Sequence, residues 1–318
     1  MALKSGLNAQ FAFKAETTWG TAVTVDKFIP LVSESVQKQV ARLESSGILA
    51  GRRVISTNQW TNGDVTVSGD INIELPLQGA AGLFKWMLGS NTTTSTGGTA
   101  PFTHTCTPGD LADDHITAQF GRPDTAGTVD AFTYTGLKCA SWELAAKAGE
   151  LVTLGVSVVG KDEATNTNLV SASYTNGVDA SFTYINGTIT VGGTTTSVRE
   201  FSIKGDNGLN VDRRFLGAAT ISEPLEAALR EYGGELMCDW EGFTNYNRFV
   251  GGSTAAVVAT FSAGASASVT VTMNVRFDGE TPNVSGTDVL EHKLPFKCTA
   301  GTDAGAITVA VVNSDSTA

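Results

Sequence analysis

Residues 64–75, DVTVSGDINIEL, decide the fold. The even positions Asp64, Thr66, Ser68, Asp70, Asn72 and Glu74 are polar, and the odd ones include Val65, Val67, Ile71 and Ile73. A period of two puts these sets on opposite faces of an extended chain, one toward a core and one toward water. SVTVTMNVRF (residues 268–277) repeats the alternation near the other end. Abundant Gly and Thr, sparse Leu and a hydrophobic content of 41% match these strands, so the expectation is a mainly β globular protein.

Working outward, Pro76 closes the strand, and GAAGLFKWMLG (residues 79–89) predicts a short helix ended by Gly89. SNTTTSTGGTA (residues 90–100) reads as a surface loop, with strands expected at 116–121, 137–145 and 151–160. Upstream, residues 1–30 carry Phe11, Phe13, Trp19 and Phe28 without sustained periodicity. That pattern predicts an arm packed on a neighbour and not on the chain's own core.

A chain of 318 residues exceeds what one core fills efficiently, so two units are expected, 1–162 (arm plus first β domain) and 163–318 (second β domain). The second half repeats the plan of the first. Arg52-Arg53 recurs as Arg213-Arg214, and Gly69-Asp70 through Glu74 recurs as Gly234-Glu235 through Asp239. Glu235, Asp239 and Glu241 alternate against Leu236, Cys238 and Trp240, and each strand leads into a short helical segment, 79–89 or 242–250. The ends match as well: ELVTLGVSVVGKD (150–162) beside GAITVAVVNSD (305–315).

Motifs that carry chemistry are scarce. Cys106, Cys139, Cys238 and Cys298 are scattered without a C-x-x-C pair, which predicts ordinary buried thiols. GVSVVGKD (155–162) approaches a phosphate loop but has Asp162 where a hydroxyl must hold magnesium, so it reads as a strand end. His104, His115 and His292 lie far apart and read as surface or satisfied residues; Asp110, Asp113 and Asp114 read as a solvated turn. No nucleophile, base or ligand set converges, so neither an enzyme nor a cofactor or metal site is expected. A net charge of −11 opposes gripping nucleic acid, because neutralising phosphates requires Lys and Arg. No apolar run approaches the roughly 20 residues needed to span a bilayer, and the opening lacks a signal core.

Several segments together resemble the tail tube proteins of long-tailed phages, especially siphophages. They are GLNAQFAFKAETTWGTAVTVDKFIPLVSESV (6–36), SSGILAGRRV (45–54), LQGAAGLFKWMLG (77–89), FTHTCTPG (102–109), ITAQFGRP (116–123), FTYTGLKCASWEL (132–144) and NGLNVDRRFLG (207–217). The resemblance implies a tail-tube-type β-sandwich or half-barrel with short flanking helices, duplicated within the chain. It implies stacked rings, of three subunits with pseudo-sixfold symmetry or of six, around a lumen through which DNA passes without specific binding. Implied partners are further copies, a tape-measure protein, a tail terminator and distal tail or baseplate proteins. The implied place is the virion tail, after synthesis and assembly in the host bacterial cytoplasm. A tail-tip or spike adhesin is the alternative, but fibrous repeats and sugar-binding aromatic clusters are not visible. Within this reading Asp64, Asp70 and Glu74, with Glu235, Asp239 and Glu241, are the candidates for the lumen wall, and Phe11, Phe13, Trp19 and Phe28 for an arm between rings.

Overall fold

A computed structural model of the protein describes residues 4–175, 177–279, 281–284 and 286–318. The alternating segment lies in a long strand, and the principal elements of the first half are β1 (Gln10–Ala15), β2 (Lys27–Ile29), β3 (Gln37–Glu44), β4 (Trp60–Glu74), α1 (Ala81–Leu88), β5 (Gly89–Ser95), β6 (Phe102–Pro108), β7 (Ile116–Pro123), β8 (Val129–Lys147), β9 (Thr153–Gly160) and β10 (Asp162–Ala164). Those of the second half are β11 (Val198–Asp206), β12 (Glu231–Asp239), α2 (Phe243–Gly251), β13 (Thr254–Ser262), β14 (Ser268–Phe277), β15 (Glu291–Cys298) and β16 (Ile307–Asn313).

Two antiparallel sheet layers face each other, continuous with one another where Val275–Phe277 of β14 pair with Phe296–Cys298 of β15. The first runs β3–β4–β9–β8–β11–β12–β15 and crosses from one half to the other at β8–β11. The second runs β5–β6–β16–β14–β13, and here the halves join at β6–β16. Ile71, Leu144, Val156, Ile203 and Leu236 of the first sheet and Cys106, Val257, Val271, Met273 and Val309 of the second belong to one continuous core. The alternation required one buried and one wet face on each strand, and each layer buries one face against the other. The expected division after residue 162 falls inside β10, and the core runs across it.

Helix α1 forms where the sequence placed it. Leu83, Phe84, Trp86, Met87 and Leu88 are all buried, and the Trp86 indole N–H donates to the Leu137 carbonyl at 3.1 Å. Gly89 ends the helix at φ 96, a left-handed conformation open to glycine at little cost. The phosphate-loop look-alike is indeed strand, in β9.

Expectations for two segments need correcting. The aromatic residues of 1–30 do not form an arm: Phe11, Phe13 and Phe28 are buried, and β1 pairs with both β2 and β7. Phe11 stacks on Phe120 at 5.0 Å, and Trp19 packs edge-on against His115. A six-residue strand shows too few alternations to be told from a loop, and here tertiary pairing supplies its partners. The loop expected at 90–100 is instead largely β5, paired along its length with β6, because a Thr-rich run is stiff at Cβ and suits a pleated surface. Of the two readings of the histidines, surface or satisfied, all three take an interior place; His104 is the satisfied case, fully buried with Thr93, Asn313 and the Asp315 carbonyl within 3.1 Å of its ring nitrogens.

Because Phe11 is 1% exposed inside this core, Phe11→Ala should cost about 3–5 kcal/mol in urea unfolding, as truncations of buried aromatics do. A loss below about 1 kcal/mol would restore the arm, since exposed substitutions stay within that range.

Candidate functional site

The face of the first sheet turned away from the core is polar across both halves. Register sets its rows: Asp70 opposite Ser157, Ser157 opposite Ser141, Ser141 opposite Asp206 and Asp206 opposite Glu231. The next row runs Asn72, Gly155, Glu143, Lys204, Gly233 and Lys297. This face curves inward around an open concavity of about 890 Å³, lined among others by Asp70, Ser141, Glu143, Ser157, Lys204, Asp206, Glu231 and Glu235.

Acidic side chains on this face are mostly paired across strands. Glu143 lies 3.2 Å from Lys204, Glu200 2.7 Å from Lys147, Glu231 2.7 Å from Lys297, Glu235 2.8 Å from Lys293, and Asp239 2.9 Å from Arg199. Asp70 accepts a 2.5 Å hydrogen bond from Ser157 Oγ. Asp70, Glu74, Glu235 and Asp239 therefore share one polar face by register. Asp64 shares the polar phase of β4 but lies beyond its last pairing with β9, 3.8 Å from Arg214. Glu241 falls outside the strand, in the turn before α2. Sequence reasoning missed Glu143, Lys204, Asp206 and Glu231; the signal for Glu143 was present, since Ser141 and Glu143 alternate with Trp142 and Leu144.

Two long connections carry exposed apolar side chains. Residues 45–59, between β3 and β4, present Ile48, Leu49, Val54 and Ile55; residues 207–230, between β11 and β12, present Val211, Phe215, Leu216 and Leu229. Ile48 and Leu216 are wholly exposed, at 97% and 106%. Each connection also holds one of the Arg-Arg pairs. Arg214 reaches back to the Val65 carbonyl and Thr66 Oγ1 of β4.

The sequence matches the phage tail tube protein family over residues 6–300. The chain belongs to that family. No curated protein matches it. A structural role in the tail tube follows, with the virion tail as its place and self-assembly into a tube alongside other tail components as its work. Among the described residues no helix is long and apolar enough to cross a membrane.

Burial pushes the thiols of this tail tube protein up, Cys106 and Cys298 to about 12 and Cys238 to about 11, so they are poor nucleophiles near neutral pH. Asp114 is not in solvent as expected: it is nearly buried beside Lys85, and burial raises its pKa. Glu16 is the opposite case. Burial alone would raise its pKa, but hydrogen bonds from His115, Gly136, Thr117 and Gly20 outweigh burial and hold it below the usual 4.5. A depressed folded pKa adds stability that is present above the unfolded value and is lost as pH falls through the folded one. The tail tube subunit should therefore lose stability below about pH 4.5, and Glu16→Gln, measured by thermal unfolding from pH 7 to pH 3, should be less stable at neutral pH with a shallower acid limb. An unchanged acid limb would mean that Glu16 takes no part.

Proposed function

We propose that the chain is the subunit of a siphophage-type tail tube, closing into stacked rings whose lumen is lined by the polar face of the β3–β15 sheet and conducts viral DNA out of the capsid. The observation that carries this reading is the concavity of that face: a ring of inward-curving, water-facing strands makes an inner wall, while the second sheet covers the outside. The outer edge of β3, unpaired among the described residues, is a joint for the neighbouring subunit, since an edge strand in a ring is completed by its partner.

Rings of three with pseudo-sixfold symmetry fit the duplication better than rings of six. A Cβ added at Gly69 would collide with the backbone of Ser35 and Val36, and one added at Gly234 would collide with the backbone of Ser202 and Ile203. The same glycine-before-acid position is thus pressed by preceding backbone in both halves, by the two residues just before β3 in the first and by β11 itself in the second. Each strand pair, β3–β4 or β11–β12, then leads into a helix and a hairpin, β5–β6 or β13–β14. The halves diverge later: β4 takes β9 as its further partner, whereas β12 takes β15 and β16 joins the other sheet. Imaging of assembled tubes end-on tests the count, with threefold symmetry and six similar lobes expected and true sixfold symmetry of whole chains overturning it.

The exposed connections supply ring-to-ring contacts, and tape-measure, terminator and distal tail or baseplate proteins meet the lumen and the tube ends. Ile48→Asp with Leu49→Asp, and separately Phe215→Asp with Leu216→Asp, should leave the fold intact by circular dichroism but abolish tubes in electron micrographs. Tubes of normal length from both variants would remove the connections from the interface.

Charge on the inner wall favours passage. A duplex carries one negative charge per roughly 1.7 Å, so a basic wall would hold it. Lys at Asp70, Glu74 and Glu235 should keep tubes intact yet slow ejection, more so at low salt, because the screening length is about 8 Å at physiological ionic strength. Ejection at the native rate through such tubes would place this face on the outside.

A further inference from the structure

We propose that His115, Asp113 and Glu223 form a binding site for one divalent first-row transition metal ion of the zinc class, which latches the 207–230 connection to the turn between β6 and β7. A ring nitrogen of His115 and a carboxylate oxygen from each of Asp113 and Glu223 lie within 4.8 Å of one another.

The second observation concerns the histidine itself. His115 is 1% exposed, its Nδ1 lies 2.9 Å from Glu16 Oε2, and its Nε2 is buried without a hydrogen-bond partner among the described residues. Glu16 accepts from Gly20, Thr117 and Gly136 as well, so this carboxylate is fixed as an acceptor and Nδ1 must donate to it. With Nδ1 turned to Glu16, Nε2 on the opposite side of the ring is the nitrogen that faces away from the network. A carboxylate behind the far nitrogen is the arrangement that orients metal-binding histidines and makes them more basic.

The carboxylates are able to complete the set. Glu223 Oε1 is taken by the Lys138 ammonium at 2.5 Å and the Asp113 backbone N–H at 2.9 Å, while Oε2 has no hydrogen-bond partner among the described residues. The Asp113 side chain is exposed and forms no ion pair among the described residues, and its backbone is held at φ 62. With metal–ligand distances of about 2.0–2.2 Å, Asp113 closes onto the ion by a change of rotamer, leaving further positions to water. One imidazole with two carboxylates favours zinc-class ions over calcium or magnesium, which prefer all-oxygen shells. Lys138 offsets part of the acidic charge and so weakens hard, purely electrostatic binding most.

The test uses the full chain stripped with a chelator, then titrated with zinc and cobalt chlorides, with calorimetry, thermal unfolding and the visible spectrum of cobalt as readouts. One saturable equivalent is expected, with a higher Tm in zinc and a cobalt spectrum of nitrogen and oxygen ligation. Asp113→Asn keeps the fold, because Asn tolerates the left-handed backbone, and should weaken binding at least tenfold; Glu16→Gln should weaken it about 10–100-fold through the histidine. Absence of saturable binding, equal affinity in Asp113→Asn, or tighter binding of calcium than of zinc would overturn the site.

Discussion

Everything in this subunit depends on the seam where β8 of the first half lies beside β11 of the second, from Glu200 opposite Lys147 to Asp206 opposite Ser141. Side chains alternate with a period of two, so a slip of one residue would turn Leu144 and Ile203 to water and bring Glu143 and Lys204 into the core. Each misplaced charge would cost several kcal/mol in desolvation. One register therefore serves the core on one face and the row of charges on the other. Because the seam joins the two halves by the same antiparallel pairing used within each, the sheet continues across it without a break, and a curved wall results from one chain.

Pairing on that face changes what its acidity does. Glu143, Glu200, Glu231, Glu235 and Asp239 each have a cation within 3.2 Å, so little of their charge stands alone. Exposed pairs contribute little stability, about 0–1 kcal/mol each, and their better use is to hold cross-strand neighbours in register and leave a surface nearly smooth in potential. Asp70, held by a serine hydroxyl, Asp206, whose side chain accepts from the Gly208 backbone, and Glu74, opposite Thr153, carry the excess negative charge. A wall made this way repels a polyanion weakly and binds it nowhere, which suits a conduit better than a uniformly acidic lining that would also repel the neighbouring subunits.

Legibility in the sequence followed the length of each pattern. Residues 64–75 span enough alternations to reveal both faces, and the helix at 81–88 announces itself by five large apolar residues and a glycine stop. Phe11 and Phe13 were misread because β1 offers only six residues, and its two partners, β2 and β7, lie at very different distances along the chain. The Thr-rich run of β5 looked like a loop since its small polar side chains hide which face is inward. His115 was beyond reach for another reason: Asp113 is a near neighbour in sequence, but Glu16 and Glu223 approach from 99 residues upstream and from the other half, and only the fold brings them together.

The two long connections show how assembly is written into a duplicated chain. In an isolated subunit Ile48, Leu49, Phe215 and Leu216 leave apolar surface in water, at about 25 cal/mol for every Å² that association later removes. Nothing in the core requires them, since the strands that they join could be linked by short hairpins. The second connection is nonetheless anchored at three places: Lys138, almost fully buried, bonds Glu223 and the Pro224 carbonyl, Arg213 donates to the Glu223 carbonyl, and Arg214 grips the backbone and Thr66 of β4. Burying a lysine is costly unless every donor finds an acceptor, and Lys138 has found three, in Glu223, Leu111 and Pro224. Such anchoring fixes where Phe215 and Leu216 project, and that lowers the entropy lost when a partner covers them. The polar network inside the fold thus prepares the apolar contact outside it.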